Sequence, residues 1–328
     1  MIYILYDKPK SIEDMSFVSS QINKKYIEIY PDIRCNSIKK VYLFAEHVFK
    51  RFSKNDTIVC WYDFMGVIFY CLSKIHRKPL NIIGLNILLK DKKTIKNRVA
   101  KFLYKKALLD SKFYATVTTV EYGNKINAVL GIDKAYYLLH DPYHSTFKYE
   151  KQSKSFGYVF CGGRNGRDWG LMIEIAKSLQ DILFTFVMAE ADFLLYQNEI
   201  PQNVNIKKNI PYNEFMDSLC GASIVALPLD TWAPAGLTVL FQAIANEKLV
   251  LTTSTVSTDE YLEAAPNLLC HTIDDWKSKI RFYLDNEQER NISINRVKKD
   301  IEQKCAEEKY SEIIKNIIEV VEEKNKNV

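Results

Sequence analysis

The sequence predicts an α/β protein made of two doubly wound parallel sheets. Three observations predict it: short apolar runs alternate with amphipathic helical ones from the first residue, the alternation breaks once at His140–Lys154, and it then resumes in the same form. A chain of 328 residues is also the length of two ordinary domains, which cluster at ~100–150 residues. An apolar fraction of 47% beside 26% charged residues supplies two cores and leaves no case for wholesale disorder.

In the first series Ile2–Tyr6, Tyr26–Tyr30, Thr57–Trp61, Leu80–Leu85, Phe113–Thr118 and Tyr136–Leu139 read as strands, being short, apolar and rich in β-branched or aromatic residues. Ile38–Phe52, Gly66–Ile75 and Thr94–Leu109 carry a helical period between them. Repeated β-then-α order implies parallel strands covered on both faces. The polar, lysine-bearing His140–Lys154 stretch with Pro142 lacks any apolar period and reads as the linker. Beyond it come strands at Gly157–Cys161, Leu183–Val187, Val204–Ile206, Ser223–Ala226, Leu249–Thr252 and Leu268–His271, with helices after Arg167, from Tyr212 and from Gly236. This is a second Rossmann-like half. The expected domains are residues 1–145 and 146–328.

After Asp274 the pattern turns wholly helical, and Glu287–Lys326 is charged with an apolar stripe through Ile313, Ile314, Ile317, Ile318 and Val321. Such a stripe requires a partner. The terminal helix, about 303–326, is expected to return to the N-terminal domain.

Composition excludes several classes. The seven cysteines are scattered without a CxxC pair and read as reduced core thiols. His140 and His144, separated by Asp141-Pro142-Tyr143, lack the further ligands of a zinc site and read as a turn. No run approaches the ~18 apolar residues of a membrane span, and the first residues have no signal-peptide form. A net charge of +5, without basic and aromatic residues interleaved in an RNA-binding motif, does not suggest a nucleic-acid partner. The expectation is a cytoplasmic protein.

Two such halves place the carboxyl ends of both sheets against one cleft, where open α/β sheets bind ligands. The stretch Tyr158-Val159-Phe160-Cys161-Gly162-Gly163-Arg164-Asn165-Gly166-Arg167-Asp168-Trp169 is a strand running into a glycine-rich turn that opens a helix. Glycine permits close backbone approach to a ligand, and arginine offers forked donors for phosphate. It is neither GxGxxG nor a Walker loop, which argues against a dehydrogenase and a P-loop kinase. Alone, it equally fits plain strand-to-helix punctuation with Arg164 and Arg167 solvated. Further on, Ala226–Leu229 leads through Asp230-Thr231-Trp232-Ala233-Pro234-Ala235 to a helix opening at Gly236. The free N–H groups of Leu237, Thr238 and Val239, aided by the helix dipole, suit a diphosphate. Gln242 lies about one turn further.

The segment Gly-Leu-Thr-Val-Leu-Phe-Gln-Ala-Ile-Ala-Asn-Glu-Lys-Leu-Val at residues 236–250, followed by Thr252, Thr253 and Asp259-Glu260-Tyr261, resembles the donor-binding motif of family-4-type GT-B glycosyltransferases. The Gly162–Asp168 turn is similar to their first C-terminal loop. The resemblance covers roughly residues 156–262 and implies the GT-B fold, with an N-terminal acceptor domain and a C-terminal nucleotide-sugar domain. It implies a retaining, hexosyl-type transferase of bacterial polysaccharide biosynthesis that uses a nucleotide-diphosphate sugar, a UDP-sugar first, without a metal. Its implied acceptor is a glycan or polyprenyl-linked oligosaccharide. Donor binding would fall to Gly163, Arg164, Arg167, Gly236, Leu237, Thr238 and Gln242. Arg167 substitutes for a lysine that often follows the arginine. Gln242 stands where the family usually has a ribose-binding glutamate, a change worth ~1–2 kcal/mol. Pro234 occupies the position of the family's other glutamate, and Asp7-Lys8-Pro9-Lys10 replaces the usual Gly-Gly loop after the first strand. A catalytically silent subunit that stabilises a partner transferase is the alternative these departures suggest. Nucleotide-sugar 2-epimerases share the fold, but their cleft carboxylates and histidines are not found.

On the acceptor side Asp63, after the Thr57–Trp61 strand, and Asn86, after the next, are the catalytic candidates. Asp63 also fits a helix N-cap. Lys90–Lys106 reads as a basic amphipathic helix with Ile95, Val99, Phe102 and Leu103 on one face. It suits peripheral contact with the anionic inner face of the cell membrane, and equally an ordinary packed helix with a solvated lysine face.

Overall fold

The computed structural model describes residues 1–61, 63–89, 94–150 and 157–326, with Asp63 described by its backbone alone. The chain divides into two compact units, Met1–Pro142 with Cys305–Val328, and Tyr143–Lys304.

The first unit runs β1 (Ile2–Leu5), β2 (Tyr26–Ile29), α1 (Ile38–Phe49), β3 (Thr57–Cys60), α2 (Asp63–Ile75), β4 (Asn81–Gly84), α3 (Ile95–Leu108), β5 (Phe113–Val117), α4 (Val120–Leu130) and β6 (Tyr137–Leu138). The six strands are parallel in the order β2-β1-β3-β4-β5-β6. Every residue of β3, β4 and β5 is buried, as the centre of a sheet covered on both faces requires. Edge strand β2 is instead only partly covered, leaving Ile27 exposed. Hydroxyls of Ser37, Thr94 and Thr119 accept hydrogen bonds from the third residue of α1, α3 and α4 and so fix where these helices start.

The second unit runs β7 (Val159–Gly162), α5 (Trp169–Ser178), β8 (Phe184–Met188), α6 (Glu190–Tyr196), β9 (Val204–Lys208), α7 (Tyr212–Cys220), β10 (Ile224–Leu227), α8 (Leu237–Ala245), β11 (Leu249–Thr253), α9 (Thr258–Tyr261), β12 (Leu269–Cys270), α10 (Ile273–Asp285) and α11 (Glu287–Lys304). Its parallel order is β12-β11-β10-β7-β8-β9. Helix α8 buries every residue except Thr238, and its sequence is apolar almost all round for that reason. Helix α6 has no counterpart among the expected elements: it is short, and Ala189 before it offers no side-chain cap.

The charged stretch expected as one helical tail is two helices, broken at Cys305–Ala306. The second, α12 (Glu307–Lys326), belongs to the first unit. Tyr310, Ile314, Ile317, Ile318 and Val321 enter one cluster with Ile4, Tyr6, Val18, Val59, Ile83 and Leu139. Ser311, fully buried, accepts from the Gln21 N–H and donates to the Val18 carbonyl. Among the described residues no helix is long and apolar enough to cross a membrane.

Candidate functional site

In the second sheet the chain winds outward from β7 through β8 to β9, then crosses back to β10 and winds the other way. Connections after β7 and β10 therefore leave on opposite faces, opening a crevice at the carboxyl ends of these neighbouring strands. The two loops there are tied together. Arg167 and Leu229 form an antiparallel bridge, the Asp168 N–H donates to the Pro228 carbonyl at 3.1 Å, and the Asp230 N–H donates to the Gly166 carbonyl at 3.1 Å.

Arg167 is the centre of the arrangement. Its side chain folds back so that Nε donates to the Gly162 carbonyl at 2.8 Å and Nη1 to the Asn165 carbonyl at 3.1 Å. Only 8% of the residue is exposed. Among the described residues no carboxylate lies within ion-pair reach, and burial pushes the guanidinium below its ordinary pKa. Two of its five N–H groups are thereby occupied, and the other three meet no acceptor among the described residues. Gly163 makes the fold possible on two counts. Its φ of +123° excludes ordinary side chains, and a Cβ there would lie 2.5 Å from Arg167 Nη2.

The amino end of α8 meets the same guanidinium. A Cβ on Gly236, which has φ +79°, would lie 3.3 Å from Arg167 Nη1. Gly236 caps the helix without a side-chain acceptor, and the first intrahelical bond runs from the Leu240 N–H to the Gly236 carbonyl. The N–H groups of Leu237, Thr238 and Val239 are left at the positive end of the dipole. A buried, uncompensated cation beside a helix amino terminus is costly unless an anion completes it.

A cavity of about 270 Å³ opens beside this point, lined by Gly163, Arg164, Val187, Met188, Asn209, Ile210, Tyr212 and Phe215 among others. Gly163 is common to both features. Its backbone lines the cavity, while the space its absent side chain leaves is filled by Arg167. Buried Gln242 donates from Nε2 to the Tyr212 hydroxyl at 3.3 Å, linking α8 to the cavity wall.

In the first unit the corresponding reversal lies between β1 and β3, and Asp7 and Asp63 follow these strands. Asp7 Oδ1 is buried with no hydrogen-bond partner, and burial raises its carboxyl pKa against the pull of Lys8 and Arg34. Asp63 is the first residue of α2. Asn86 has a left-handed backbone, φ +48°. Its Nδ2 donates to Asp141 at 2.8 Å, and its Oδ1 accepts from the Thr116 hydroxyl at 3.0 Å. Among the described residues no three His, Cys, Asp or Glu side chains gather as a metal-ligating group.

The structure thus brings Gly163, Arg167, Gly236, Leu237 and Thr238 to one locus in the second unit. Exposed Arg164 lies at the neighbouring cavity, and Gln242 one turn into α8. Asp63 and Asn86 belong to the other unit. Sequence reasoning missed Tyr212 and the cavity walls. It also passed over Asp7 as a candidate, although its place after the first strand was the available signal.

Cys161 is the last residue but one of β7, the strand feeding this turn. Burial pushes its thiol up to about 12, outweighing nearby Arg167, and does the same to Cys270. Cys71 alone of the seven is not fully buried. We expect a maleimide to modify Cys71 first in the native protein and all seven in denaturant, as read by intact mass. Early modification of Cys161 would contradict the packing described.

No protein-family model matches the chain, and no curated protein matches its sequence. Solved structures do match it along nearly its whole length. Anabaena HepE in complex with UDP is 12% identical, with 98% of this chain and 100% of that one covered at a TM-score of 0.69. A glycosyltransferase from Rickettsia africae is 10% identical, with 100% and 99% covered and a TM-score of 0.65. An α,α-trehalose-phosphate synthase (UDP-forming) from Burkholderia xenovorans, in complex with glucose-6-phosphate, is 8% identical, with 98% and 100% covered and a TM-score of 0.65. The likeness is one of fold: two parallel six-stranded sheets in the GT-B arrangement.

Proposed function

We propose that the protein is a glycosyltransferase that takes a hexosyl-type sugar from a nucleotide-diphosphate donor, a UDP-sugar first, and passes it with retention to a glycan or lipid-linked oligosaccharide. One observation carries the reading: the buried, uncompensated Arg167 guanidinium at the amino end of α8, sharing Gly163 with a largely apolar cavity. A ligand matching both features is anionic at one end and carries a flat, weakly polar group at the other. A nucleoside diphosphate has that form, and the neighbour HepE is a UDP complex.

In the proposed mechanism the base enters the cavity beside Tyr212 and Phe215, with Arg164 at its rim. The diphosphate meets Arg167 and the N–H groups of Leu237, Thr238 and Val239. As the sugar–phosphate bond breaks, negative charge accumulates on the leaving phosphate, where this preorganised positive potential acts most strongly. Gln242, held by Tyr212, turns its amide oxygen to the ribose. In the first unit Asp7 accepts a hydrogen bond from an acceptor hydroxyl, Asp63, which follows the neighbouring strand β3, is a second catalytic candidate, and Asn86 acts as a positioning residue through Asp141 and Thr116.

Calorimetry against UDP-, GDP-, dTDP- and CMP-sugars, followed by NMR of the product's anomeric configuration, tests the reading. Selective donor binding with turnover and retained configuration is expected. Binding without turnover toward any glycan acceptor, or no binding to any donor, would overturn the transferase reading and favour the silent subunit that stabilises a partner transferase. Asp7→Asn is expected to raise the acceptor KM about tenfold while leaving the donor Kd unchanged, since it exchanges an acceptor oxygen for a donor. An altered donor Kd in that variant would remove Asp7 from the acceptor side.

A further inference from the structure

Helix α3 carries two apolar faces. One is buried in the first unit through Tyr104, Ala107 and Leu108. The other points to solvent: Ile95 is 80% exposed, Val99 54% and Phe102 58%. These three recur at i, i+4 and i+7, so they form a single ridge. An ordinary packed helix has no reason to leave a second stripe of large apolar residues in water.

The charges on this helix are of one sign. The helix contains Lys96, Arg98, Lys101, Lys105 and Lys106 and no acidic residue. At 100° per residue Arg98 and Lys105 fall on one flank of the ridge and Lys96 on the other. Lys106 lies on the ridge itself, with its ammonium 5.7 Å from the centre of the Phe102 ring. Adjoining the ridge through Leu103 is an apolar groove of about 430 Å³ between α1, α2 and α3. Ile38, Tyr42 and Ile75 on its rim are themselves 59%, 43% and 72% exposed.

We propose that this face docks on the surface of an anionic lipid bilayer. Ile95, Val99 and Phe102 enter the boundary between headgroups and acyl chains, and the flanking cations lie among acidic headgroups. A protruding apolar ridge hemmed by cations matches a layered surface, apolar beneath and anionic above. The proposal stands independently of the donor site in the other unit. The Lys90–Lys93 part of the expected basic helix lies outside the described residues and takes no part in it.

The test is flotation of the full chain with vesicles of phosphatidylcholine alone and of phosphatidylcholine mixed with phosphatidylglycerol. The protein is expected to float with the mixed vesicles only, and high salt should release it. Val99→Ser with Phe102→Ser should weaken partitioning at least tenfold, as should Arg98→Glu with Lys106→Glu. All four side chains are exposed, so the melting temperature of each double variant should match the parent. Absence of flotation with the anionic vesicles would overturn the proposal, as would undiminished flotation of the Val99→Ser/Phe102→Ser protein. A concentration-dependent dimer that this double variant dissociates, with no vesicle binding, would assign the face to a second copy of the chain instead.

Discussion

Replacing Arg167 with methionine should weaken nucleotide-diphosphate binding about a hundredfold while leaving the fold standing. The guanidinium lies against Gly236 at the amino end of α8, and a lost charge-assisted contact of this kind costs about 3 kcal/mol, roughly a hundredfold in Kd. Stability should move little because two effects oppose. Methionine abandons the hydrogen bonds to the Gly162 and Asn165 carbonyls, but it also removes a cation buried without a carboxylate, and buried ions are often replaced by apolar groups without loss. Arg167→Lys should fall between, keeping charge but losing the fork. Calorimetry with UDP beside a thermal melt reads both quantities. If Arg167→Met bound UDP like the parent, the diphosphate would have to be moved elsewhere in the unit.

The second large effect concerns α12. Ile314, Ile317, Ile318 and Val321 are at most 1% exposed, and each buried aliphatic side chain contributes roughly 1.5–3 kcal/mol. Together they approach the ~5–15 kcal/mol by which a whole domain is stable. Ending the chain after Cys305 should therefore unfold the first unit. Ile318→Asp, which forces a carboxylate into the same cluster, should cost at least about 4 kcal/mol. Trp61 packs 5.8 Å from Tyr310, whereas Trp276 is buried in the second unit, so the tryptophans separate the two events. Native Trp61 emission in the shortened chain would contradict the packing of α12. UDP binding in the second unit should survive there.

Much of the fold was legible in the sequence because the inner strands, buried on both faces, read as short apolar runs between turn residues. Thr57–Cys60 and Ile224–Leu227 are cases of this. Helix α6 was not legible, being short, polar-edged and uncapped. Strand order was invisible for a different reason: it depends on pairings far apart in sequence, such as β7 beside β10. The site divides likewise. Gly163 and Gly236 announce a close backbone approach, and the α8 motif is local. In the sequence Arg164 and Arg167 are alike, and only the folded turn makes one exposed and the other buried beneath α8. The grip on Asn86 depends on Thr116 and Asp141, thirty and fifty-five positions away. No local pattern could have announced it.

That α12 covers residues of the first unit's sheet has a consequence for biosynthesis. The strands of that sheet leave the ribosome first, but the face that α12 covers stays open until the whole second unit has been translated. From Leu138 to Glu307 is 169 positions, roughly 10–30 s at ~5–20 residues per second. During that interval Ile4, Val59, Ile83 and Leu139 lack their final covering. The nascent protein is then a natural client for chaperones, and the half made first is the half that finishes folding last.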